Sequence, residues 1–332
     1  MIVWKMRVLG APLLLLVSSA LAAVQFQNET QHTRLRGTHR QLPIQRGRAA
    51  PIIIPGGPAE NIMTDTGKIQ MRARVSMPQG FVRNQEVGSL ADVQFTADEP
   101  IHTMTIRDKM SHDGRSVALY GEEVDDDGNV VSTITLLEKS YGDKLQITGS
   151  FWNKDDLYQV SFDGEGNPTV LKQNVDQFVD EEHPDDDHLD DSERRMLAED
   201  PSSWSRQLTY QDDPGTIDIM VIYTKGTMCT TAFGTRTQDC DVTTANQRPI
   251  EALIDLAVLE SNMAYANSKI PAQFRLVHTH MDPDYSEYGV GIDDILRNMR
   301  NNNGGYFTYI DSMRDSVGAD FVVLLIEDSR YW

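Results

Sequence analysis

The chain has 332 residues, and its 50 acidic side chains outweigh 30 basic ones to give a formal net charge of −20. That balance excludes nucleic acid as a partner, because gripping a phosphate backbone needs a basic patch this composition does not offer. Its length suits two domains, and its hydrophobic content of 39% is near that of globular proteins.

The first residues read as a secretory signal peptide over 1–22. Lys5 and Arg7 precede the short apolar run Val8 to Val17, and Ala20-Leu21-Ala22 forms a small-residue site with cleavage after Ala22. The run is about half the roughly 20 residues a membrane span needs, so the expected product is secreted and extracellular, with no membrane contact after cleavage. Residues 23–65 are Arg-, Gln-, Thr- and Pro-rich without periodicity and read as a flexible leader. Asn28, in Asn-Glu-Thr, is the expected glycosylation acceptor.

Residues 66–178 change to short alternating segments, among them IQMRARVSM, SVALYGEEV, VVSTITLLEKS, DKLQITGSFW, DLYQVSFDG and PTVLKQN. Clusters of Asp, Gly and Asn between them, such as DDDGN, close hairpins, so this stretch is expected to be a β-rich meander or sandwich. Residues 179–213 crowd Asp180, Glu181, Glu182, Asp185, Asp186, Asp187, Asp190 and Asp191 around His183 and His188, and read as a solvated acidic linker. Too few apolar residues surround these histidines to hold ligands in place, so a metal site is not assigned to them. The pair Arg194-Arg195 marks an expected processing site between a β-rich pro-region and a mature domain.

Residues 214–332 alternate strand and helix. TIDIMVIYT, residues 216–224, reads as a buried strand; PIEALIDLAVLESNMAYANSKI reads as a helix with Pro249 in its first turn. PAQFRLVHTHM returns as a strand, GIDDILRNMRN and YFTYIDSMRDSVG are two shorter helices, and Phe321 to Ile326 is an apolar strand expected in the middle of a sheet. Cys229 and Cys240 are the only cysteines. In an oxidising compartment they pair most simply with each other, the alternative being a partner outside this chain. His278 and His280, alternate residues of one strand, could share a metal, although half-exposed surface is the commoner fate of such a pair.

The segments IDIMVIYT, IEALIDLAVLESNMAYANSKI running into FRLVHT, and GYFTYIDSMRDSVGADFVVLLIED, in this order, resemble the front half of reprolysin-like (metzincin) zinc metallopeptidases. The likeness is strongest to the secreted microbial branch with peptidyl-Asp metalloendopeptidases, and it covers roughly residues 214 to 330. It implies an α+β protein overall: a β-rich pro-region followed by an incomplete α/β/α metzincin-like domain with a largely parallel sheet. It also implies a secreted zinc metalloendopeptidase precursor acting on protein or peptide substrates. The family's zinc motif, H-E-x-x-H-x-x-G-x-x-H, puts two imidazoles on one helical face and a glutamate base beside zinc-bound water. No H-E-x-x-H occurs in these residues. The chain is therefore expected to stop short of its zinc ligands and to be inactive as given, with no catalytic residue of its own. The resemblance also attaches a calcium site to Asp218 and Asp320, while turn-capping aspartates remain the alternative reading. A zinc-blocking thiolate is excluded, because the pro-region has no cysteine. A noncatalytic secreted binding or inhibitory protein is the competing function, and an acidic cation-binding protein a third.

Overall fold

A computed structural model describes residues 50–63, 69–112, 116–141, 144–153, 156–162, 165–174, 215–233, 240–290, 292–301 and 306–327. The first part holds ten strands: β1 (Ala50–Pro55), β2 (Glu60–Met63), β3 (Ile69–Ser76), β4 (Leu90–Val93), β5 (His102–His112), β6 (Ser116–Val124), β7 (Val130–Tyr141), β8 (Lys144–Asn153), β9 (Asp156–Phe162) and β10 (Pro168–Asn174). A one-turn helix, α1 (Phe81–Asn84), lies between β3 and β4. Strands β4 to β10 run as an antiparallel meander, and β10 turns back onto β3. Strand β1 closes the circle by pairing parallel with β4 at Ala50 and Ala91 and antiparallel with β3 at Ile54 and Ser76. The result is a closed mixed barrel of nine strands, with β2 added outside it on β3.

Alternation along the strands builds this shape. On β7, Ile134 and Leu136 point into the barrel core, while Leu137 on the opposite face joins a different core. On β8, Ile147 and Phe151 face inward and Ser150 outward. Phe95 stacks on Tyr158 at 4.4 Å and meets Phe151 edge-on at 5.0 Å, and Phe81 and Val82 of α1 enter the same core. The β6–β7 turn follows from its residues: Asp125 Oδ1 accepts from the backbone N–H groups of Asp127 and Asn129, and Gly128 takes φ 85°.

The second part contains β11 (Thr216–Thr224), α2 (Lys225–Phe233), α3 (Thr244–Asn267), β12 (Gln273–Asp282), α4 (Ile292–Asn301), α5 (Ile310–Val317) and β13 (Phe321–Leu325). Its three strands pair in parallel in the order β12-β11-β13. Val221, Tyr223, Val323 and Leu325 face α3, whereas Met220, Ile222, Val322 and Leu324 face Ile295, Phe307 and Ile310.

This architecture overturns the expected fold class. In place of an α+β chain completed by an α/β/α metzincin-like domain with a largely parallel sheet, the dominant element is the closed mixed barrel, beside a small parallel sheet and few helices. The reason is that strand periodicity sets which side chains point inward but leaves the partners of the edge strands undetermined, and here β1 joins them. The β-rich stretch is likewise a barrel, not a sandwich. Strands β1 and β2 lie in the stretch read as a leader, and Ile53 is fully buried in the barrel core. Strand β13 is buried on both faces, yet β11 is the central strand and β13 flanks it. Pro249 is not in the first turn, because Thr243 caps α3 by accepting from the Asn246 N–H, which starts the helix earlier. Helix α2 runs through a stretch in which no helix was expected.

Candidate functional site

The polar groups that join the two parts converge where α3 crosses the outer face of β7, β8 and β9. Ala118 and Leu137 from the barrel share one apolar core with Val221, Leu253, Ile254, Leu256 and Ala257. Polar contacts flank this core. The Ser150 hydroxyl of β8 donates to Glu260 Oε1 of α3, both side chains being buried, and Lys139 Nζ pairs with the Asp255 carboxylate. At one margin Arg72 donates to the Phe233 carbonyl of α2 at 2.8 Å.

Burial governs the ionisation of this seam. It pushes the Glu260 carboxyl up to about 7, against the opposing pull of the Ser150 hydrogen bond. Burial likewise raises Glu251, although nearby Lys139 and the Tyr223 hydroxyl favour its charged form. Tyr141 lies beneath two cations, with Lys139 Nζ 5.5 Å and the Arg248 guanidinium 5.4 Å from its ring centre, and burial raises its phenol. Burial thus favours the protonated carboxyl of Glu260 within the seam. Ser150 and Glu260 escaped the sequence reading, because the only available signal was a single glutamate within an otherwise apolar helix face.

The residues singled out from sequence fall elsewhere. Cys229 and Cys240 form a disulfide with their Cα atoms 5.7 Å apart, pinning α2 to the segment that leads into α3. Asp218 and Asp320 are brought together. Asp320 Oδ2 accepts from the Asp218 N–H at 2.8 Å, and the Asp218 carboxylate receives the Arg275 guanidinium through two contacts of 2.6 Å. The Asp218 carboxylate is thus paired with a guanidinium. Ala22, Asn28, His183, His188, Arg194 and Arg195, with the acidic run, lie outside the described residues.

His278 and His280 lie on β12 with their rings 6.3 Å apart and nearly parallel. The His280 ring meets Tyr309 edge-on at 4.9 Å, and burial lowers its pKa, disfavouring the imidazolium. The Tyr309 hydroxyl donates to Asp282 Oδ2 at 2.7 Å, while Asp282 Oδ1 accepts from the N–H groups of Asp284 and Tyr285. Asp282 is therefore engaged in a turn. Among the described residues no group of three or more His, Cys, Asp or Glu could hold a metal ion. This pair does not fit catalytic zinc, which takes at least three protein ligands.

The names of three sequence relatives support a metallopeptidase family. Each carries the name peptidyl-Asp metalloendopeptidase. The protein of that name from Stenotrophomonas maltophilia strain K279a is 29% identical over 217 residues, spanning 65% of this chain and 45% of the relative. Its counterpart from strain R551-3 is 31% identical over 118 residues, spanning 36% and 24%, and that of Xanthomonas campestris pv. campestris 28% over 190 residues, spanning 56% and 39%. The chain thus spans less than half the length of the curated relatives it matches. No family model matches it. A solved chaperone–substrate complex aligns over 40% of this chain and 96% of its own at 14% identity, with a TM-score of 0.27 that carries no argument.

Proposed function

We propose that the chain supplies the pro-region and the leading part of the catalytic portion of a secreted zinc metalloendopeptidase of the reprolysin-like class, whose substrates are proteins or peptides. The observation that supports this reading is the seam. The barrel is a closed unit with a core of its own, and it meets the sheet-bearing part through a second core, at Ala118 and Leu137, flanked by polar contacts. A barrel with its own core, docked through a second, shared core, suits a cover that is later removed. Any latency would rest on steric cover, since the two cysteines are joined to each other. None of the described residues fits the zinc ion, so no hydrolytic step is assigned to them.

Sequencing the transcript through codon 332 tests this reading, followed by an assay of the encoded secreted product for chelator-sensitive peptide cleavage. The expected result is a frame that continues into an H-E-x-x-H helix and a product whose cleavage stops on chelation. A stop codon directly after Trp332 would overturn the enzyme reading for this product and favour a noncatalytic secreted binding protein.

A further inference from the structure

Thr224 ends β11, Leu325 ends β13, and Glu287 follows β12, so the carboxyl ends of all three parallel strands meet around one buried group. Glu287 is only 1% exposed. Its Oε1 accepts from the Thr224 hydroxyl at 2.7 Å and from the Glu327 N–H at 3.0 Å. Its second oxygen, Oε2, is buried and has no hydrogen-bond partner, and Glu287 makes no ion pair among the described residues. Beside it stands a second buried carboxylate, Glu327, whose Oε1 accepts from the Thr230 hydroxyl at 2.7 Å.

Gly226 opens the space between them. A Cβ placed there would lie 2.7 Å from Glu287 Oε1, 3.2 Å from Glu327 Oε2 and 3.2 Å from the Tyr288 hydroxyl, so three oxygens from two segments face one point that only glycine leaves clear. Two carboxylates sharing a buried space repel and lose hydration, which disfavours the pair unless positive charge or donors compensate. The donors directed at Glu287, the Thr224 hydroxyl and the Glu327 N–H, both go to Oε1. What Oε2 lacks is positive charge.

We infer that Glu287 and Glu327, with neighbouring hydroxyl oxygens, form a binding site for a hard divalent cation of the calcium class. An all-oxygen donor set suits such an ion, whereas zinc prefers imidazole and thiolate. The place also fits, since ligands of parallel sheets gather outside the carboxyl ends of the strands. The site is distinct from the Asp218–Asp320 pair, because Asp320 meets Asp218 near the start of β11 and at the entry to β13. A bound cation would tie the ends of β11, β12 and β13 to α2, and would thereby stabilise the folded chain by mass action.

The test is the melting temperature of the full chain, stripped with chelator and titrated with Ca2+, for wild type, Glu287→Gln and Glu327→Gln. Terbium emission sensitised by nearby tyrosine serves as a second readout. The expected result is a saturable rise of several degrees in wild type that both variants lose, together with Tb3+ emission that Ca2+ displaces in wild type alone. Should Glu287→Gln fail to fold, Glu327→Gln and the wild-type titration still decide. An unchanged wild-type melting temperature at millimolar Ca2+ would overturn the site. An equal rise in wild type and either variant would also overturn it, placing the binding elsewhere, such as the run Asp180 to Asp191.

Discussion

The Ser150 hydroxyl of β8 donates to the Glu260 carboxylate of α3, and neither side chain reaches solvent. Burial lifts Glu260 from 4.5 to about 7, so between those values the folded chain keeps a proton that the unfolded chain gives up. The associated stability is complete below the unfolded value and is lost as pH rises through the folded one. At about 1.4 kcal/mol per unit, that is on the order of 3 kcal/mol between acid and neutral pH. Glu260→Gln keeps the hydrogen-bonding shape and cannot ionise. The difference in urea-unfolding free energy between variant and wild type should therefore grow in the variant's favour from pH 4.5 to 7.5. A difference independent of pH would remove Glu260 from the role of a titrating latch.

Cys229 and Cys240 are separated by 11 positions and join the buried helix α2 to the approach to α3. A closed loop of that size restricts the unfolded chain by about 3 kcal/mol on the chain-entropy account. The double substitution Cys229→Ser, Cys240→Ser should lower the unfolding free energy by that amount. Reductant should lower it equally in wild type and have no effect in the double variant. A reductant effect on the variant would show that the loss has another origin.

Where the sequence carried local chemistry, the elements were legible. The alternation of Ile134 and Leu136 against Leu137 gave β7, and Asp125 with Gly128 gave the turn before it. Thr216 to Thr224 reads as a buried strand and is one. The barrel was not legible, because closure depends on β1 finding both β4 and β3, a long-range event in a segment flanked by Pro51 and Pro55. Helix α2 was hidden for another reason: Lys-Gly-Thr-Met-Cys-Thr-Thr-Ala-Phe has weak helix propensity, and its helix is held by the burial of Met228, Cys229 and Ala232. The pairing of Glu287 with Glu327 spans 40 positions and exists only because three strand ends meet. The resemblance singled out Asp218 and Asp320 as possible calcium ligands, and no pattern in the sequence reveals that Arg275 pairs with Asp218.

That arrangement separates a cap from a calcium ligand. If Asp320 acts by accepting the Asp218 N–H, Asp320→Asn keeps an oxygen acceptor and should retain most of the stability, whereas Asp320→Ala leaves a part-buried donor unpaired at a cost of about 1–2 kcal/mol. Urea unfolding of both variants, with and without Ca2+, makes the comparison. Equal losses in the two variants, appearing only with Ca2+ present, would restore the metal reading of this pair.

The barrel makes its own demand at Gly149, which sits on β8 opposite Leu136 of β7. A Cβ there would lie 2.3 Å from the Thr135 carbonyl oxygen and 2.6 Å from Leu136 Cδ2. The side chain could rotate away, but the carbonyl belongs to the neighbouring strand's backbone and cannot retreat without opening the β7–β8 ladder. Gly149→Ala should therefore destabilise the chain by at least about 2–3 kcal/mol, the upper part of the range for overpacked cores. Gly57→Ala supplies the control, since a Cβ at Gly57 meets nothing within 4 Å, and its effect should stay within about 0.5 kcal/mol. Chemical unfolding of both variants followed by tryptophan emission, with Trp152 on β8 as a barrel reporter, measures the difference. A near-neutral Gly149→Ala would mean that β7 and β8 do not hold the close approach that closing the barrel requires.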